Sequence, residues 1–191
     1  MTATPQLITN EQHYQQVVLN GMLKATVSLD ISTADFKAML SPIPSPGINP
    51  SGSQGRGWSR RAPSIVKHLC KLADKGVEIR ILHAGVPSSA ALRELKGKLP
   101  ANLMIRRCPR LHAKTVVVDS CAMYLGSANL TGAGLGAKSP FKRNIEWGIW
   151  SYDASLIDQV LGEFNELWEG IHCEKCQRKD ICPVPLEEPK L

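Results

Sequence analysis

The chain of 191 residues lacks an apolar run long enough to cross a bilayer, and residues 1–5 do not resemble a signal peptide. These absences predict a cytoplasmic protein with no stable membrane association. It also lacks an internal repeat, and the glycine-rich stretch 132–138 lacks the Gly-Lys-Ser/Thr ending of a nucleotide-binding loop. Hydrophobic residues at 43% and charged residues at 21% are typical of one compact globular domain.

Positive charge is in excess. The formal net charge is +6 and the sequence pI is about 9.1. A basic surface favours polyanionic partners, with nucleic acid first and anionic membrane second.

Periodicity and turn residues predict an α/β domain: a mixed β-sheet flanked by helices on both faces. This domain is expected to span residues 1–171, and residues 172–191 are expected to form a short, polar, cysteine-bearing tail. Helices are expected at 9–22, 64–76, 88–98 and 155–169, and strands at 25–32, 77–82, 102–106, 115–118, 123–125 and 144–150.

Residues able to bind a phosphate recur around the predicted hairpin 115–125. His112 and Lys114 are two positions apart, so on a strand they would project to the same face. The return strand brings Ser127 and Asn129 to the same edge of the sheet. An ammonium and an amide suit phosphate oxygens with developing charge, and a histidine between them can attack phosphorus covalently.

The spacing of His112, Lys114, Asp119, Gly126, Ser127 and Asn129 resembles the HKD motif of the phospholipase D superfamily. An isolated His-x-Lys would be read as a surface pair on a hairpin, but here every fixed position of the motif is present.

The resemblance implies a phosphodiesterase that forms a phosphohistidine on His112 and needs no divalent metal. Lys114 and Asn129, with Ser127 in support, would hold the phosphate, and Asp119 would stabilise the hairpin turn. Glu146 would orient His112. Members with one motif pair two chains, so the resemblance also implies a homodimer with a composite site.

Nucleic acid, with DNA favoured over RNA, is the predicted substrate, which would make the protein an endonuclease. The chain is small and basic, and two loops expected beside His112 carry candidate phosphate contacts: Arg56, Arg60, Arg61, Lys138 and Arg143, with Trp58 available to stack on a base. Two alternatives remain open. One is a lipid hydrolase or phosphatidyltransferase, and the other is a non-catalytic nucleic-acid-binding module.

Three of the six cysteines, Cys173, Cys176 and Cys182, crowd into the tail with two and five residues between them. Their spacing resembles the trio that, with a distant fourth cysteine, holds a [4Fe–4S] cluster in the iron-staple exonucleases. Structural zinc and three free thiols are the alternatives. Cys108 is the favoured fourth ligand because the tail is expected to emerge near it, and Cys70 or His172 could replace it.

Overall fold

The computed structural model describes residues 4–41, 63–96 and 99–189. Within them, seven strands form one mixed sheet in the order β1-β7-β6-β5-β2-β3-β4. The strands are β1 (Gln6–Thr9), β2 (Ser28–Thr33), β3 (Glu78–His83), β4 (Leu103–Arg107), β5 (Thr115–Val118), β6 (Ala122–Gly126) and β7 (Trp147–Ser151). The α-helices are α1 (Ile65–Asp74), α2 (Ser89–Leu95) and α3 (Ala154–Trp168).

Local sequence explains where the α-helices begin. The side chains of Ser64, Ser88 and Asp153 each accept a hydrogen bond from a backbone N–H in the first turn of α1, α2 and α3, respectively. Such caps satisfy N–H groups that have no partner within the helix. The predicted α/β class is confirmed.

Helices cover both faces of the sheet. Inward residues of β2 and β3, such as Ile31 and Ile81, pack in the main core with Val66 and Leu69 of α1. On the opposite face, α3 packs through Ile157 against β5 and β6. Parallel pairing of β2 with β3 follows from the helix that connects them.

The N-terminal segment corrects the expected helix at 9–22. Its first residues form β1, which pairs with β7 and buries Ile8. After a turn at Asn10, the chain forms a π-helix at Tyr14–Leu19 and a 3-10 helix at Met22–Lys24. Pairing with β7 was not visible from sequence because the partner strand lies more than a hundred residues away.

Two boundaries near the motif also differ from expectation. His112 and Lys114 lie in an irregular segment before β5, not on the strand itself. β7 begins at Trp147. Before it, the backbone N–H of Asn144 donates to the carbonyl of Ala133, and the Glu146 carbonyl accepts from the N–H of Asn10.

The C-terminal segment, residues 170–189, contains turns and bends but no helix or strand. It packs on the domain through Leu186, which joins a small apolar cluster with Leu111 and Trp168. The backbone N–H of Arg107 also donates to the carbonyl of Glu187 at 3.0 Å. No helix in the described part of the chain is long and apolar enough to cross a membrane.

Candidate active site

The sheet register gathers the motif residues at one edge. Ser32, near the end of β2, pairs with Thr115 at the start of β5, and Thr115 pairs in turn with Leu125 near the end of β6. The backbone N–H of Gly126 donates to the carbonyl of Lys114 at 3.1 Å. Lys114 therefore lies next to the turn that carries Ser127 and Asn129.

His112 is exposed and Lys114 is buried beside it. The Lys114 ammonium lies 3.1 Å from Nδ1 and 3.3 Å from Nε2 of His112, and donates to the His112 carbonyl at 2.6 Å. A phosphate oxygen that accepts a bond from Lys114 would thus lie next to the imidazole. This geometry suits an attack by His112 on phosphorus.

Burial lowers the pKa of Lys114, and the negative charge of Glu146 opposes part of that effect. Desolvation penalises the ammonium, so a nearby carboxylate favours the charged form. The Glu146 charge therefore supports the cationic Lys114 that a phosphate needs.

Glu146 does not take the position expected of it. One carboxylate oxygen accepts a short hydrogen bond from the Ser127 hydroxyl, and the other accepts from the Asn144 amide at 2.9 Å. Neither oxygen accepts from His112. Glu146 acts on the motif through Ser127 and through its charge on Lys114, because β7 aligns it with the turn after β6.

Asn129 is oriented by the loop that follows β2. Its side-chain oxygen accepts from the backbone N–H groups of Ala34 and Asp35, both at 3.1 Å. Within the described residues its amide N–H groups donate no hydrogen bond, so they are available to a substrate oxygen.

Asp119 lies at the far end of the hairpin, away from this edge. Its carboxylate accepts hydrogen bonds from the backbone of Thr26, Val27 and Ser28. Burial by itself would raise the pKa of Asp119, but these hydrogen bonds outweigh that effect and hold the pKa below its usual range. Asp119 fixes the hairpin to the start of β2.

The basic residues are distributed differently from the sequence expectation. Arg56, Trp58, Arg60 and Arg61 lie outside the described residues. Lys138 is exposed, whereas Arg143 pairs with Glu11 at 2.6 Å and is therefore partly neutralised.

Other basic residues, which sequence reasoning did not select, line a cavity with His112. They are Arg107, Arg110, Arg178 and Lys179, of which all but Arg107 are exposed. Arg107 and Arg110 flank Cys108 just before the motif, and that proximity was the one signal in the sequence that could have identified them.

This cavity, of about 510 Å³, is also lined by Cys108, Cys173, Cys176 and Cys182. Burial, followed by the neighbouring thiols of Cys108, Cys182 and Cys176, raises the pKa of Cys173. The backbone N–H of Arg178 and the side chain of Arg110 lower the pKa of Cys176. In residues 4–41, 63–96 and 99–189, no three or more His, Cys, Asp or Glu side chains are grouped so that they could hold a metal ion.

The other candidate ligands lie in different settings. Cys70 is on α1, packed against the main core, and Cys121 is exposed at the hairpin turn. His172 lines the same cavity, and its Nε2 lies 3.4 Å from a carboxylate oxygen of Glu166.

Comparison with known proteins agrees with the motif and the sheet. Residues 59–168 match the family model described as "cardiolipin synthase, PLD-like domain". The chain belongs to the phospholipase D-like family. At the level of that family it is a phosphodiesterase. No curated protein gives a significant match.

Solved structures show the same fold. Nuc from Salmonella typhimurium, a phospholipase D family member, is 19% identical with a TM-score of 0.58 over 87% of this chain and 95% of that one. NucT from Helicobacter pylori is 14% identical with a TM-score of 0.59 over 87% and 96%. TrmBL2, an archaeal chromatin protein whose structure is described as showing a novel mode of DNA binding, is 14% identical with a TM-score of 0.51 over 87% and 52%.

Proposed function

We propose that the protein is a nuclease that cuts phosphodiester bonds through a phosphohistidine on His112, in a composite site built by two copies of the chain. The observation that carries the proposal is the position of the Lys114 ammonium beside both ring nitrogens of His112. A cation that binds phosphate and a ring that attacks phosphorus are thereby held together.

The reaction would take place in two steps. A nitrogen of His112 forms a bond to phosphorus, the bond from phosphorus to the leaving oxygen breaks, and the partner subunit's His112 gives a proton to that oxygen. Water then loses a proton to the partner subunit's His112 and attacks phosphorus, and the nitrogen–phosphorus bond breaks.

Lys114 and the free amide N–H groups of Asn129 would bind the non-bridging phosphate oxygens throughout. Because an imidazole is the nucleophile and an ammonium stabilises the charge, these steps require no divalent metal.

The requirement for a second copy is supported by an apolar strip beside the site. Leu7, Leu125, Trp147 and Ile149 lie on one face of β1, β6 and β7. Helix α3 covers part of this face through Ile149 but leaves Leu7 64% and Trp147 67% exposed. Apolar surface of this kind next to an incomplete site fits a twofold contact between identical chains.

A nucleic-acid substrate is supported by the charge around His112. Arg110, Arg178 and Lys179 are exposed on the cavity that His112 lines. Such groups bind backbone phosphates without reading sequence, and the net charge of +6 would draw a polyanion toward them.

A lipid phosphodiester is the second candidate. The matching family model carries the description of a cardiolipin synthase, and Phe141 and Ile145, on the loop before β7, are 98% and 83% exposed. Exposed apolar side chains near the site could enter the surface of a vesicle.

The test is a substrate panel in EDTA: single- and double-stranded DNA, RNA, and vesicles of phosphatidylcholine and phosphatidylglycerol. Wild type should cleave nucleic acid, and His112→Ala should bind it without cleaving it. Lipid turnover without nucleic-acid cleavage would overturn the nuclease. Binding with no cleavage of any substrate would favour the DNA-binding module that the likeness to TrmBL2 suggests.

Subunit mixing tests the composite site. When wild type and His112→Ala are co-expressed in equal amounts, a shared site predicts about one quarter of the wild-type activity, whereas independent chains predict about one half. Cys121→Ser is the control, because Cys121 is exposed at the far end of the hairpin and has no part in the proposed reaction. Equal mixing with this control should leave activity unchanged.

A further inference from the structure

Two distant parts of the chain contribute cysteines to one cavity. Cys108 follows β4 and precedes the segment that carries His112, and Cys173, Cys176 and Cys182 follow α3. The other two cysteines lie elsewhere, at the core-facing side of α1 and at the hairpin turn. The fold therefore places four of the six cysteines around one cavity.

Backbone bonds hold these cysteines in place. The N–H of Cys108 donates to the carbonyl of His83 at 2.9 Å, which fixes it to the end of β3. The N–H of Cys173 donates to Gly170 at 2.8 Å, just after α3 ends, and Cys176 donates to Cys173 at 3.2 Å. The Cys182 N–H donates to Arg178 at 3.0 Å. Hydrogen-bonded turns therefore fix the three tail cysteines in a segment that has no helix or strand, and Cys108 is fixed by its bond to the end of β3.

We propose that Cys108, Cys173, Cys176 and Cys182 bind a [4Fe–4S] cluster, which fastens the C-terminal segment to the chain leading into His112. The assignment does not depend on the proposed nuclease activity, although the cluster would share its cavity and its cationic neighbours with the proposed phosphate contacts. Four cysteine thiolates hold such a cluster, each on its own iron.

A [4Fe–4S] cluster and a single zinc ion require different arrangements of the four thiols. Zinc needs every sulfur about 2.3 Å from one point. The described residues contain no such convergent group, yet the four cysteines line a common space of about 510 Å³. A [4Fe–4S] cluster has four irons at separate corners. Its four thiolates therefore bind at separate positions and do not converge on one point, as they would around zinc.

Charge around the cavity also fits. A cluster held by four thiolates is anionic, and the side chain of Arg110 interacts with both Cys173 and Cys176. Arg178 and Lys179 lie on the same cavity. Cationic neighbours reduce the cost of gathering four thiolates.

The cluster would stabilise the C-terminal segment, which gains little stability from apolar packing. Apart from Leu186 and the bond between Arg107 and Glu187, the described segment 170–189 contributes little to the apolar core. Metal–ligand bonds stabilise small segments that bury little surface. Because Cys108 lies four residues before His112, the same bonds would restrain the approach to the catalytic histidine.

The experiment is anaerobic purification of the full chain from iron-supplied cells, with iron, acid-labile sulfide and zinc measured per chain. We expect about four iron and four sulfide in wild type and in Cys121→Ser, and loss of most iron in Cys108→Ser and Cys176→Ser. Circular dichroism shows whether each variant folds. Limited proteolysis should cleave segment 170–189 faster in the two ligand variants than in Cys121→Ser.

Three results would overturn the proposal: wild type free of metal, one zinc per chain without iron, or full iron in a folded Cys108→Ser. If Cys108→Ser does not fold, Cys176→Ser decides by the same criterion. Iron content is read without substrate, so a protein that holds the cluster but cuts nothing would refute the nuclease and leave this site standing.

Discussion

Asp119 belongs to the motif by sequence but acts on stability, and its substitution separates these two roles. One carboxylate oxygen accepts from the backbone N–H groups of Val27 at 2.8 Å and Ser28 at 2.9 Å, and the other accepts from the Thr26 hydroxyl at 2.8 Å. Asp119 also has φ +51, a left-handed conformation that asparagine tolerates and alanine does not favour.

The magnitude follows from these contacts. A hydrogen bond to a charged group contributes about 1.5–3 kcal/mol net. Thr26 and Val27 are exposed, so in the variants water replaces some of the hydrogen bonds that these residues lose. We therefore expect Asp119→Asn to lower the free energy of unfolding by about 1–2 kcal/mol. Asp119→Ala should cost about 2–3 kcal/mol, because the left-handed backbone adds about 1 kcal/mol.

The pH dependence gives a second readout. The folded pKa of Asp119 is depressed, so its contribution is full above the ordinary carboxyl pKa and is lost as pH falls through the folded value. The stability difference between wild type and Asp119→Asn should thus be largest near neutral pH and shrink in acid.

The assay is urea unfolding at several pH values, with activity per folded chain measured at low temperature. Ser120→Gly is the matched control, since Ser120 is exposed at the same turn with φ +50 and should gain or lose little stability. If Asp119→Asn keeps wild-type stability but loses activity, the carboxylate acts on substrate and the reasoning fails.

Three further results are expected. Burial lowers the pKa of Lys114, so the activity of wild type should fall as pH rises through that pKa. Lys114→Arg should remove this alkaline loss, because arginine stays charged. A pH profile of kcat/KM checks both expectations. Tyr124→Phe should cost about 1–2 kcal/mol in thermal unfolding, because it strands the buried N–H of Ala128 that donates to the Tyr124 hydroxyl at 3.0 Å. Gly148→Ala should destabilise the fold by about 1–3 kcal/mol, since a Cβ would lie 2.3 Å from the Tyr124 ring; an unchanged melting temperature would refute this.

Strongly periodic segments were predictable. The apolar spacing after Ser64 predicted α1, and the β-branched run Thr115–Val118 predicted β5. Their hydrophobic pattern matches their own secondary structure, so local preference and tertiary packing agree. β1 was missed because its four residues are short and acquire strand structure only by pairing with β7.

The candidate site, too, was predictable from the sequence only in part. Residue types and spacing pointed to His112, Lys114, Ser127 and Asn129 as candidates, because their side chains suit a phosphate and the motif fixes their spacing. The contacts of Glu146 could not be read from spacing. Its bond to Ser127 depends on β7 lying beside β6, a pairing of residues nineteen positions apart.

The sequence by itself determined which chemical groups this protein carries: a histidine, an ammonium and an amide that suit a phosphodiester, and a tail with three cysteine thiols. Tertiary structure alone decided which groups meet. It placed Asp119 on the start of β2, removed Arg143 into an ion pair, and brought Cys108 to the three tail cysteines. The physical reason is that side-chain chemistry is a property of each residue, whereas contact between distant residues depends on sheet order and helix packing, which the whole core selects together.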